Sequence, residues 1–134
     1  MAAEPLTASV RVSADPARVF EFFTRAEAMV RWMGDYAVLD ATPGGDFVVD
    51  INGVPVRGRY VEVEAPHRLV ITWGHAGSER LPPGASRVEV RFVAVDDGTL
   101  VEVTHEGLPE PEVDGFARGW PFFLGRLAET ARPD

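Results

Sequence analysis

The 134-residue sequence contains no cysteine. That excludes a disulfide framework, zinc sites built on cysteine and thiol catalysis, and it fits a reducing compartment. There is no lysine either: the 13 basic residues are all arginines, scattered among 21 acidic ones. The resulting net charge of −8 argues against nucleic acid as a partner, since such binders need a basic face. It argues equally against anionic membrane surfaces. No apolar run approaches the length of a membrane span. The opening MAAEPLTASV lacks the basic and apolar regions of a secretory signal, so a cytoplasmic location is expected. The three histidines show neither HxH nor HExxH spacing, and no metal is expected. Without a GxSxG elbow, a phosphate loop or a dinucleotide fingerprint, no cofactor is expected.

What is present reads as one domain over residues 1–134, long enough for a core without covalent staples. LTASVRV, Leu6–Val12, reads as a first strand. Asp15 is an N-cap candidate and Pro16 suits a first helical position. Val19, Phe20 and Phe23 then supply one apolar helical face. A second short helix is expected from Glu27 to about Met33, stopping at Gly34. The middle of the chain is β: DYAVLDA, DFVVDI, VPVRGRYVEVE, RLVITW, SRVEVRFVAV and TLVEVTHE are separated by short turn signals. Asn52-Gly53 and Asp96-Asp97-Gly98 mark hairpins, so successive strands are antiparallel. Phe47, Val49 and Ile51 share one face, as do Val88, Val90 and Phe92, while their neighbours are largely polar. One face of the sheet must therefore be covered.

The cover is the C-terminal segment from about Glu110 to Ala131. Val113, Phe116, Trp120, Phe123, Leu124 and Leu127 recur there at three- and four-residue spacing. The expected fold class is α+β: an antiparallel sheet curled around one long C-terminal helix, with two short helices after the first strand. Pro121 inside that helix should cost about 3 kcal/mol. Gly115, Gly119 and Gly125 each weaken it by about 1 kcal/mol. A kink near Ala117–Pro121, or a main helical body starting at Pro121, is the expectation.

Five motifs in order carry a resemblance over nearly the whole chain. They are ADPARVFEFFTRAEAMVRWMG with its Arg31-Trp32 pair, PGGDF, GRYVEVEAPHRLVITW, TLVEVTHEGLP, and the closing GW and LGRLAE. They resemble the activator of heat-shock protein 90 ATPase homologue family, within the START-like (SRPBCC) superfamily. The resemblance implies a helix-grip, Bet v 1-like fold. The family's co-chaperones carry a further N-terminal domain that helps bind the chaperone, and no such domain is expected within these residues. Chaperone activation is therefore not carried over, and a chaperone partner and a homodimer are left open.

Candidate functional residues follow from chemistry. His105 shares strand parity with Val101 and Val103, whereas Glu106 points to the opposite face and is poorly placed to orient it. His105 is expected to bond the loop backbone and fix the junction of strand and helix, and no catalytic residue is assigned. Trp32, Met33, Phe47, Trp73, Phe92 and Trp120 are large apolar residues expected to border a cavity between sheet and C-terminal helix. Tyr60 or Arg59 could orient a ligand oxygen. His67 is expected in solvent and His75 in a loop, and Arg57, Arg59 and Arg80 are expected to pair with surface carboxylates. Three functions fit. A carrier of a hydrophobic, aromatic small molecule should show a closed apolar pocket. An interaction module should show an exposed apolar patch. A cyclase-like enzyme acting by enclosure should show convergent polar groups with perturbed pKa values. The carrier is the leading expectation.

Overall fold

The computed structural model describes residues 4–132. Strand β1 (Leu6–Val12) is followed by helices α1 (Pro16–Thr24) and α2 (Ala26–Met29). Six strands come next: β2 (Tyr36–Leu39), β3 (Asp46–Ile51), β4 (Val54–Glu64), β5 (Arg68–His75), β6 (Ser86–Val95) and β7 (Gly98–Glu106). Helix α3 (Glu110–Ala131) closes the chain. The strands form a seven-stranded sheet in the order β1-β7-β6-β5-β4-β3-β2, antiparallel throughout. The first two strands thus lie at opposite edges, and α1 and α2 carry the chain from one to the other.

Local chemistry explains the elements. The Asp15 carboxylate accepts from the Arg18 backbone N–H at 2.9 Å, and Pro16 occupies the first turn, where its missing donor costs nothing. Asn52 and Gly53 turn from β3 into β4 with φ of 50° and 84°. Both signs are positive, as a two-residue hairpin that follows the sheet twist requires. Phe47 and Val49, with Val88, Val90 and Phe92, are buried on the concave face. Phe92 packs edge-on against Phe20 and Phe23 of α1, each at 5.2 Å between ring centroids.

The second short helix differs from its expected span. It ends at Met29, and the chain tightens into turns whose N–H groups reach back three residues as well as four: Trp32 to Met29 and Arg31 to Ala28. The tightening seats Trp32 in the core, where its indole N–H donates to the Phe22 carbonyl at 2.8 Å.

Helix α3 is continuous from Glu110 to Ala131 with Pro121 inside it, so its main body does not begin at Pro121. Pro121 and Ala117, four residues earlier, are both exposed. The carbonyl that loses its partner therefore lies on the solvent side, where water can satisfy it. Trp120, Leu124, Leu127 and Ala131 form the buried stripe, with Phe116 and Phe123 packed beside it. The helix is tied at the middle and the end of its buried half. Arg126 Nε donates to the Trp32 carbonyl at 3.0 Å, and Arg18 Nε donates to the Ala131 carbonyl at 2.7 Å. Truncation at Pro109 would bare the concave face, and the product should show no cooperative thermal unfolding transition in circular dichroism. A soluble fragment that melts cooperatively would contradict the arrangement.

Candidate functional site

Where the first half of α3 crosses the sheet, packing is incomplete. A cavity of about 200 Å³ lies there, open to solvent rather than closed as expected of a carrier, because α3 does not reach the sheet along its whole first half. Its floor comes from the strands: Ile51 of β3, Val54 and Val56 of β4, Trp73 and His75 of β5. Its roof is α3, through Glu112, Gly115, Phe116, Gly119, Trp120 and Phe123, and Met33 closes one end. Two of the lining residues are glycines. A Cβ placed on Gly115 or Gly119 would meet no atom within 4 Å, so a side chain has room at either position. Val54 is 41% exposed at the rim, and the deeper Trp73 is 4% exposed.

The sequence-derived candidates divide. Met33, Trp73 and Trp120 line this cavity. Trp32, Phe47, Tyr60 and Phe92 are buried elsewhere in the core. Trp32 is held by its bond to Phe22, and Phe92 by the phenylalanines of α1. Phe47 fills the space between Tyr60 and Trp73, at 5.7 and 5.4 Å. Tyr60 is also committed: its hydroxyl donates to the Phe23 carbonyl at 2.8 Å, and burial pushes its pKa up, with the Asp40 carboxylate adding to the effect. Arg59, the other candidate for orienting an oxygen, lines a separate groove with Arg57, Pro83 and Gly84. Arg57 pairs with Asp50 at 2.8 Å and Arg80 with Glu112 at 3.8 Å.

His75, expected in a loop, is instead the last residue of β5. Alternation puts it on the side of Trp73, and its ring stacks on Phe116 at 5.9 Å with an 18° tilt. Burial lowers its pKa, against a smaller upward pull from Glu112. Two signals could have placed the missed residues. Extending β5 by one alternation beyond Trp73 reaches His75, and stepping the α3 stripe back four residues from Phe116 reaches Glu112.

His105 is fully buried beneath this site, and its partners are side chains rather than the expected loop backbone. The Trp120 indole N–H donates to His105 Nδ1 at 3.1 Å. An indole nitrogen only donates, so Nδ1 must be the unprotonated nitrogen and Nε2 carries the hydrogen. Nε2 then donates to Ser86 Oγ at 2.8 Å, and the Ser86 hydroxyl donates to the Trp73 carbonyl at 2.7 Å. Every member of the chain is satisfied and its direction is fixed. Both imidazole nitrogens are occupied, so His105 has no free lone pair with which to take a substrate proton. Burial, reinforced by His75, lowers its pKa to about 3. The third indole differs from the other two: Nε1 of Trp73 is the one buried side-chain polar atom without a partner among the described residues. Among those residues, too, no three His, Asp or Glu side chains gather as metal ligands do, and no helix is long and apolar enough to cross a membrane.

A family model described as Activator of Hsp90 ATPase homolog 1-like protein matches residues 13–132. The chain belongs to this family. Among solved structures, an AHSA1-like protein from Rhizobium etli is 40% identical, with a TM-score of 0.77 over 96% of this chain and 81% of its own. DynU16, a protein in the dynemicin biosynthetic locus, is 25% identical with a TM-score of 0.82; the match covers 95% of this chain but 46% of DynU16, so this chain spans about half of that relative. An HSP90 activator from Plasmodium falciparum is 23% identical with a TM-score of 0.79 over 93% of this chain and 94% of its own, a likeness of fold. A search of curated proteins gives no match. The helix-grip architecture implied by the motifs is therefore the architecture found.

The buried histidine makes a pH prediction. Its folded-state pKa of about 3 lies below the ordinary value of 6.5, so between these values the unfolded chain binds a proton that the folded chain refuses. The associated stability is fully present above pH 6.5 and is lost as pH falls toward 3, by about 1.4 kcal/mol per pH unit. His105→Phe should remove this slope while costing about 1–3 kcal/mol at pH 7 for the donors and acceptors left unpaired. Urea unfolding of both proteins from pH 7.5 to 4 measures it, and parallel pH profiles would contradict the assignment.

Proposed function

We propose that this protein binds a small, flat, hydrophobic molecule in the cavity between α3 and strands β3–β5. The observation that carries the reading is the cavity wall itself. Trp73, Trp120, Phe116 and Phe123 line a space together with two helical glycines, where a side chain would have room. Glycine inside a helix costs about 1 kcal/mol relative to alanine, and two of them on the cavity side of α3 favour an occupant over a filled core. An apolar cavity of about 150 Å³ accepts a benzene ring, so about 200 Å³ suits a bicyclic aromatic whose substituents reach solvent at the open side. Its faces would bury against indole and phenyl rings. The resemblance to a protein of a biosynthetic locus agrees with a small-molecule ligand.

The other two functions have less support. The exposed large hydrophobic residues Tyr36, Val38, Val54, Val61, Val93 and Phe122 lie on four different elements and one of them, Val54, belongs to the cavity rim. Proton-transfer chemistry would need a free titratable group deep in the cavity. The most strongly shifted histidine, His105, has both nitrogens engaged.

Binding is tested with 2-naphthol followed by tryptophan fluorescence and thermal shift. Wild-type protein should show quenching and a raised melting temperature, because a ligand of the folded state stabilises it by mass action. Gly119→Leu should fill the cavity, abolish binding, and raise the ligand-free melting temperature by about 2–4 °C as the helix improves by about 1 kcal/mol. Undiminished binding by this variant would place the ligand elsewhere, and no binding by either protein would count against the reading.

A further inference from the structure

The wall of the cavity is apolar, yet one of its lining residues is ionic. Glu112 stands in the first turn of α3, and no other Asp, Glu or Arg side chain lines the space. Building on the binding reading above, we infer that the site selects ligands carrying a positive charge beside their aromatic portion, with the aromatic group against the contacting pair Trp73 and Trp120 and the cation at the mouth against Glu112.

Two features of the mouth support this. Phe116, one helical turn after Glu112, lines the same space, so an ammonium held by the carboxylate also lies near an aromatic ring, which attracts cations. The competing cation already present is weakly placed. Arg80 of the β5–β6 loop is 67% exposed and its nearest nitrogen is 3.8 Å from the Glu112 carboxylate, at the outer limit of an ion pair. Such a solvated pair contributes little and is readily exchanged. His75, the remaining titratable group at the cavity, is kept neutral at pH 7 by its burial, so it does not offset the carboxylate.

An anionic ligand of the same shape would meet Glu112 with like charge in a partly desolvated mouth, which disfavours it. Three probes with one ring system separate the terms: 2-naphthylmethylamine, 2-naphthylmethanol and 2-naphthoate, titrated at pH 7 in low salt by fluorescence and calorimetry. The amine should bind roughly tenfold more tightly than the carboxylate, with the alcohol between them. Glu112→Gln, a substitution at a partly exposed position, should bring the amine and the alcohol to equal affinity while leaving the alcohol unchanged. Arg80→Ala should strengthen the amine and leave the alcohol unchanged. Equal affinities for amine and carboxylate in the wild-type protein, or an undiminished preference in Glu112→Gln, would overturn the inference and leave the aromatic binding reading standing. No binding by any of the three, the neutral alcohol included, would overturn that reading and this inference together.

Discussion

The chain of hydrogen bonds from the Trp120 indole through His105 and Ser86 to the Trp73 carbonyl is the constraint on which the site depends. It joins α3, β7, β6 and β5 through three groups that each have one workable role. Buried polar groups are costly when any one lacks a partner, so a fully satisfied chain holds its members to one arrangement. Trp120 cannot rotate without stranding Nδ1 of the histidine, and the histidine cannot turn over without losing both bonds. The cavity wall is rigid at its deep end for this reason. At the mouth, Arg80 and Val54 are exposed and Glu112 is partly so.

This arrangement gives a histidine that looks reactive in the sequence a structural task. A lone histidine at the end of a strand, followed by an acid, invites a catalytic reading. Strand alternation already weakened it, since Glu106 points the other way. What alternation could not supply was the pair of side chains from distant elements that occupy both ring nitrogens. Ser86 lies across the β6–β7 hairpin and Trp120 across the turn into α3, and neither relation is visible without the register and the packing.

Much of the fold was legible because period and punctuation agreed. Leu6–Val12, Val54–Glu64 and Glu110–Ala131 have the ends that their apolar periodicity and turn residues mark. The short second helix was misjudged because burial of Trp32, a tertiary effect, tightened its last turn. A main helical body starting at Pro121 is not found, because the carbonyl that Pro121 leaves unpaired lies on the solvent side and the helix runs through it from Glu110. The site was legible only in part. Large apolar residues signal burial but not which of them border a space, so Trp32, Phe47, Tyr60 and Phe92 were grouped with Met33, Trp73 and Trp120. The more informative signal was the absence of side chains at Gly115 and Gly119 on the helical stripe, one turn apart.

The placement of β1 has a consequence for how the protein comes together. This strand pairs with β7, Val10 standing opposite Val101, while β2 lies at the far edge. Contacts between residues so far apart in sequence carry a large loop-closure cost before they give any return, and topologies rich in them fold slowly. On a ribosome the first strand would emerge long before its partner. The hairpins from β2 to β6 could assemble by local pairing, but with an open edge and an uncovered apolar face until β7 and α3 arrived. The period of greatest exposure to aggregation is therefore set by the order of strands in the sheet, and it ends only when the last third of the chain has been made.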